Sequence, residues 1–273
     1  MSLPRTQLIT LTVLGLLLGT SCSDTGDAVI GDGSSGDVIV VSNSGSGDFT
    51  TVQGAVDAAD PGDVVQVRPG FYAERVVVDK DLLIVGEAGS SLSAEGVPPL
   101  GGSSPGDSAV LVIRNTSDVV VEGMTFTGPE DGVIVRNSLN IELRDINASG
   151  NGSNGVDIRA SVGVRVTGTF DDNGDHGVRV REGSDDVIVE SSEMTGNADD
   201  GIRVRDSNAV TVRANNSSGN GDHGIEVRDS SAVALVENTA NDNSGFGIRI
   251  RESDVLLKNN TTSGNREGDF FEE

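Results

Sequence analysis

Tryptophan is absent, tyrosine occurs once, and aromatic residues make up only 3% of the 273 positions. A globule built around an aromatic core is thereby excluded, whereas 37 glycines and many branched residues suit a stacked solenoid. Cysteine occurs once, at Cys22, so no intrachain disulfide can form. Positive charge is scarce too. A net charge of -24 gives a soluble, self-repelling surface and argues against nucleic acid as a partner. Lysine is confined to Lys80 and Lys258. The cations are therefore nearly all arginines, present for geometry more than for bulk solubility. The apolar run Leu8–Leu18, preceded by Arg5, is too short to span a bilayer and reads as a secretory signal.

What the chain does have is a repeated phrase: glycine, branched apolar, any residue, branched apolar, arginine. It reads Gly132-Val-Ile-Val-Arg136, Gly155-Val-Asp-Ile-Arg159, Gly177-Val-Arg-Val-Arg181, Gly201-Ile-Arg-Val-Arg205, Gly224-Ile-Glu-Val-Arg228 and Gly247-Ile-Arg-Ile-Arg251. The glycines are 23, 22, 24, 23 and 23 residues apart, a period that marks a repeat architecture. Four residues before the glycine stands Asn151, Asn173, Asn197, Asn220 or Asn243. Six or seven after it stands Ser138, Ser161, Ser184, Ser207, Ser230 or Ser253. A second short strand follows the serine, as in Val187-Ile-Val189 and Val210-Thr-Val212, and then a weaker one rich in threonine and asparagine. Valine and isoleucine without helical periodicity indicate β-structure.

The period is too short for a β-α-β unit, and each strand must find its neighbour one period away. Pairing is therefore parallel and the chain coils. Successive coils stack ~4.8 Å apart, turning each repeated valine into a dry column and each repeated asparagine into a hydrogen-bonded ladder inside a turn. The expected fold is all-β: a right-handed parallel β-helix solenoid with a short N-terminal capping helix. On these residues, from about Val38 to the C-terminus, the chain resembles the parallel β-helix proteins of pectin-lyase-like topology, specifically carbohydrate-associated surface and periplasmic members.

Residues 1–22 read as a signal peptide ending at Cys22. This cysteine sits where an apolar run meets a polar tail and resembles the lipid-attachment cysteine of bacterial lipoproteins, although Gly19 stands where that family generally has leucine. The resemblance implies secretion across the inner membrane and an outer membrane or cell-surface location, with the membrane reached through the lipid anchor only. Ser23 following the cysteine is compatible with the outer membrane. Residues 23–37 form a flexible Ser/Gly/Asp tether, and residues 38–273 the β-helix. Thr50 and Gln53 form a capping box for a helix whose Val52, Ala55, Val56 and Ala59 share one face, laid over the first coil as a cap. This segment looks like the N-terminal segment of pectin methylesterases. Residues 87–108 break the pattern and read as an inserted loop, functional or not, and residues 132–268 carry the regular coils. Phe270 and Phe271 either fold back over the last coil or leave its end open to end-to-end self-association.

Alternation along the phrase points the apolar residues inward and puts Arg136, Arg159, Arg181, Arg205, Arg228 and Arg251 in one outward row, beside a second with Arg179, Arg203 and Arg249. Stacked like charges repel by about 1 kcal/mol per pair even in water, so something compensates. Either Asp157, Glu226 and the acids following the arginines do so internally, or an anionic ligand such as a uronate-rich polysaccharide lies along the face. A second column precedes the glycine: Asp175, Asp199 and Asp222 two positions ahead, and Asn154, His176, Asp200, His223 and Phe246 one ahead. Asp175, Asp199 and Asp222 at coil spacing would share protons or a cation, calcium being the candidate, or are simply solvated; no cofactor is required.

Parts of this column resemble the catalytic motifs of polygalacturonases. Asp199-Asp200 resembles the Asp-Asp element, His223-Gly224 the Gly-His-Gly element and Arg249-Ile-Arg251 the last, with arginine for lysine. The first element fails, since Asn173-Gly-Asp175 leaves His176 where the acid belongs, and Arg-x-Arg is the repeat's own consensus. Asp199, Asp200, Asp222 and His223 are the catalytic candidates that resemblance implies. Two functions follow, beside a purely structural reading of the solenoid as a rigid spacer. One is a lipid-tethered β-helix binding polysaccharide or a surface component through Arg159, Arg179, Arg181, Arg203, Arg205, Arg228, Arg249 and Arg251. The other is a polysaccharide hydrolase, lyase or epimerase.

Overall fold

In a computed structural model, which describes residues 36–98 and 108–273, the chain is a right-handed parallel β-solenoid. The signal peptide, Cys22, the tether up to residue 35 and part of the expected loop lie outside the described residues.

The repeated phrase forms a nine-stranded sheet running from Val76–Val78 through Val178–Arg181 and Ile202–Arg205 to Gly268–Glu272. The strands after the serines belong to a thirteen-stranded sheet that starts at Val38–Val41 and includes Val162–Thr169 and Val233–Val236. Equivalent residues pair directly. Val133, Val156, Val178, Ile202, Ile225 and Ile248 form one column, and Val135, Ile158, Val180, Val204, Val227 and Ile250 the next. All are at most 2% exposed. Each such side chain stabilises by about 1.5–3 kcal/mol on burial, and branched residues stack on a pleated surface without losing much rotamer freedom.

The coil turns where it does for a local reason. The residue after each phrase arginine has positive φ: Asn137, Ala160, Glu182, Asp206, Asp229 and Glu252 lie between 46° and 59°. This left-handed corner bends the chain from the nine-stranded sheet toward the thirteen-stranded one. The next serine then holds it, as Ser207 Oγ donates to the Arg205 carbonyl at 2.9 Å and Ser230 Oγ to that of Arg228 at 2.8 Å.

Inside the other turn runs the asparagine ladder. Each Oδ1 accepts both the backbone N–H and the Nδ2–H of the asparagine one coil earlier, at 2.9–3.2 Å, from Asn151 through Asn173, Asn197, Asn220 and Asn243 to Asn265. A second ladder, Asn215–Asn238–Asn260, does the same in the turn after the thirteen-stranded sheet. The periodicity did not single it out.

The helix spans Val52–Ala58 and buries Val52, Ala55 and Val56. Its cap differs from the expected Thr50/Gln53 box. Thr51 is the N-cap, and Glu74 from the adjoining coil accepts the N–H groups of Val52 and Gln53 at 2.7 and 2.9 Å. That frees Gln53 to act as a surrogate strand partner: its amide accepts the Val77 N–H at 2.7 Å and donates to the Val77 carbonyl at 3.3 Å. The helix thus protects the first edge of the nine-stranded sheet.

One expectation is corrected here, and one of two alternatives is excluded. The segment 87–108 is not all loop, because Ser90–Ser93 is a strand paired with Gly70–Ala73 and Thr125–Thr127. One inward residue suffices, since Leu92 packs in the column of Tyr72 and Phe126 while serines flank it. Phe270 and Phe271 do not fold back, but extend the nine-stranded sheet opposite Ile248 and Arg249.

Candidate functional site

Register places the arginines of the phrase on one side of the molecule, outside the nine-stranded sheet. Arg159 pairs with Arg181, Arg205 with Arg228 and Arg228 with Arg251, while Asp157, Arg179, Arg203, Glu226 and Arg249 form the parallel row. The two acids in that row are buried, Asp157 fully and Glu226 at 4% exposure. Asp157 is clasped by Arg159 of its own strand and Arg181 of the next coil, and Glu226 by arginines of the coils on either side. Arg159 and Arg181 reach Asp157 at 2.7 and 3.1 Å, and Arg203 and Arg249 reach Glu226 at 3.0 and 3.4 Å. Arg205, Arg228 and Arg251 meet Asp206, Asp229 and Glu273 at 3.2, 3.1 and 3.5 Å. Left-handed corners turn Asp206 and Asp229 back onto the arginines they follow.

Seven of the eight arginines expected to bind ligand are therefore already neutralised within the protein. Arg179 is the exception: no carboxylate of the described residues lies within ion-pairing distance of it. It stands half-buried between Asp157 and Arg203, and burial lowers its pKa, with Asp157 and Asp175 acting at longer range to raise it.

Beside this row runs the turn column. Its inner members share one structural task. The side chains of Asp131, Asn154, His176, Asp200 and His223 each accept the backbone N–H of the next member, ending at Phe246, over 2.8–3.3 Å. Residue type varies down the column while the acceptor atom does not. Asp200 and His223 are consequently buried, at 1% and 2%, and only Asp199 and Asp222 of the four catalytic candidates reach the surface.

The ladder also fixes the imidazole tautomers. An N–H donated to Nδ1 needs the lone pair there, so the proton of each neutral ring sits on Nε2. His176 Nε2 then faces Asp175 and Asp199 at 3.4 and 3.7 Å. Burial, with Arg203 and Arg179 nearby, holds its pKa down to about 3, so the ring is neutral at physiological pH. Burial and the Asp199 carboxylate raise Asp175, and burial, Asp199 and Glu226 raise Asp200 well above the ordinary range.

Asp175, Asp199 and Asp222 are not gathered at one point. Asp175 and Asp199 group with His176, and Asp222 with Asp200 and His223, with potential ligand atoms in each group within 4.8 Å of one another. Either group could hold a cation. With both Nδ1 lone pairs occupied and both Nε2 atoms protonated, the carboxylates are the ligands on offer, which fits a hard cation over a soft one.

A raised folded-state pKa stabilises the fold below the unfolded value, ~3.9 for Asp, and that contribution is lost as pH rises through the folded value. Asp200→Asn removes this loss. Asn154 shows that an asparagine in the column can accept the ladder N–H. The variant is expected to melt a few degrees higher than wild type at neutral and mildly alkaline pH, with the difference vanishing in acid. Thermal unfolding across pH checks it, and parallel pH profiles would refute it.

Many solved structures share this architecture, among them a pectate lyase and an alginate lyase. Pectate lyase Pel9A is similar over 86% of this chain and 79% of its own, at 14% identity and a TM-score of 0.61. An alginate lyase from Paenibacillus sp. strain FPU-7 is similar over 87% and 98%, at 16% identity and a TM-score of 0.52. No curated protein matches the sequence. A family model described as "right handed beta helix region" matches residues 108–271, which include every coil of the site, and the chain belongs to that family.

Proposed function

We propose that the protein is a glycan-binding β-helix that holds an acidic polysaccharide along the arginine and aspartate face, with a uronate carboxylate on Arg179. One observation carries the reading. The other seven expected ligand-binding arginines are neutralised internally, whereas Arg179 has no carboxylate partner among the described residues, and planar bidentate recognition of carboxylate is what a guanidinium does best. Two of the similar solved structures, a pectate lyase and an alginate lyase, support the same ligand class. The carboxylates of Asp175 and Asp199 supply the oxygen ligands through which calcium would bridge protein and uronate. Pull-down of the protein on polygalacturonate and on alginate, with calcium and with chelator, tests this. Salt-sensitive retention is expected, and passage of the wild-type protein through both matrices removes the reading.

An enzymatic role is the second reading, favoured by the Asp175 and Asp199 pair. Burial, and after it the Asp199 carboxylate alongside, lets Asp175 keep its proton to a higher pH than an ordinary carboxyl, a division of states that acid–base chemistry uses. Product analysis of the same incubations decides it, since unchanged polymer length and composition end the idea.

We further propose attachment to a membrane by lipid on Cys22, motivated by the apolar run before it and the polar tail after it. Cys22→Ser is expected to move the protein from the membrane to the soluble fraction of bacterial cells and to abolish incorporation of labelled fatty acid. Labelled Cys22→Ser protein would overturn it.

A further inference from the structure

The face changes character at its C-terminal end. One coil on, the strand row passes from Arg249 to Phe271 and the inner turn row from His223 to Phe246, while the outer turn row ends its acids at Asp222 and continues as Gly245. The Phe246 ring centroid lies 5.7 Å from that of His223 and 5.1 Å from that of Phe271, each pair tilted by 33°. Both phenyl groups are half-buried. They form an aromatic ledge beside the charged rows, and the buried Gly245 packs so closely on Asp222 and His223 that a Cβ there would come within 2.4 Å of both.

Hydrogen-bond accounting at this end does not close. His223 Nδ1 accepts the Phe246 N–H at 2.8 Å, so its proton is on Nε2. Nε2 lies 2.8 Å from Arg249 Nη1, and a guanidinium nitrogen only donates. Donor therefore faces donor. Arg249 Nε is also buried without an acceptor, and Glu226, the carboxylate in contact with this arginine, is 3.4 Å from Nη1. Orphaned buried donors are costly, so these groups favour any ligand oxygen that can accept from them.

We propose that this end of the face is a subsite for one pyranose ring of a glycan, with the ring stacked on Phe246 and Phe271 and a hydroxyl accepting from Arg249 Nη1 and His223 Nε2 while donating to Asp222. A hydroxyl is the group that accepts and donates at once. A second carboxylate does not fit beside Asp222 and Glu226, so this subsite takes the hydroxyl side of a sugar, whereas Arg179 takes an acid. Displacing Arg249 from the imidazole breaks no hydrogen bond, because donor faces donor. The inference rests on the glycan reading for its ligand class and adds a direction: the chain lies along the solenoid axis, from Arg179 toward Phe271.

Calorimetric titration with oligogalacturonate and oligomannuronate, on wild type, Arg179→Ala, Phe271→Ala and Phe271→Tyr, tests it. Phe271→Ala is expected to weaken binding about five- to tenfold and Phe271→Tyr to restore it. Saturation-transfer NMR on the wild-type protein needs no variant, and is expected to show transfer from phenyl protons to sugar ring protons. Wild-type affinity in Phe271→Ala together with no phenyl transfer overturns the subsite, even where Arg179→Ala binds weakly and the face itself stands. Loss in Phe271→Ala with wild-type affinity in Arg179→Ala has the opposite meaning: the ledge stands and the Arg179 anchor falls. Failure of wild type to bind either oligomer removes both.

Discussion

Replacing Asn197 with alanine is expected to destabilise the protein by about 4 kcal/mol, one of the largest effects of a single truncation in the solenoid. Asn197 is 1% exposed and sits mid-ladder. Its Oδ1 accepts the backbone N–H and the Nδ2–H of Asn173, both at 3.0 Å, and its own Nδ2 donates to Asn220 Oδ1 at 3.0 Å. Truncation leaves two buried donors of Asn173 without an acceptor, at about 1–3 kcal/mol each, in a turn closed to water. Asn197→Asp does not rescue. It keeps the acceptor but loses the donor and places a carboxylate against Asn220 Oδ1, a buried charge without a partner. Asn265, at the end of the same ladder and partly exposed, should tolerate the change far better. Denaturant unfolding measures the difference, with hydrogen exchange as a local readout because a solenoid can lose coils near the lesion before the rest. A change within ~0.5 kcal/mol, the range of an ordinary surface substitution, would show that the ladder orders the turn without stabilising it.

That ladder was readable from spacing alone, and so were the two arginine rows, because in a parallel solenoid equal sequence spacing becomes equal spatial position. What stayed hidden has one common cause: function in this fold is assigned to an atom's position and not to a residue type. Asp131, Asn154, His176, Asp200 and His223 look heterogeneous as letters, yet each presents one acceptor to the same N–H. Asp199 and Asp200, adjacent in sequence and paired in the polygalacturonase resemblance, part company in space, one at the surface and one 1% exposed in the ladder. Asp157 and Glu226 read as interruptions of an arginine row, and the structure makes them its buried centres. The strand Ser90–Ser93 was hidden for a simpler reason, as a single leucine among serines carries no period.

The same contrast of position and type determines the second large effect. Arg179→Ala is expected to weaken binding of polygalacturonate or alginate by about ten- to a hundredfold, while Arg205→Ala changes it little. As letters the two arginines are equivalent members of the repeat. In space Arg205 is spoken for by Asp206 at 3.2 Å, so a ligand must compete with an internal carboxylate, whereas Arg179 has no such contact. Charge-assisted hydrogen bonds contribute about 1.5–3 kcal/mol, and each 1.4 kcal/mol is tenfold in affinity. Arg179→Lys should recover only part of the loss, because an ammonium keeps the charge but not the two-pronged fork. The residual binding should also depend less steeply on salt than that of wild type, since one half-exposed charge has been removed from the interface. Affinity measurements on the three variants at low and physiological ionic strength distinguish these outcomes. Equal losses in Arg179→Ala and Arg205→Ala would mean that the ligand senses the summed field of the face, and the internal neutralisation by Asp157, Glu226 and the corner acids would then not govern what this protein binds.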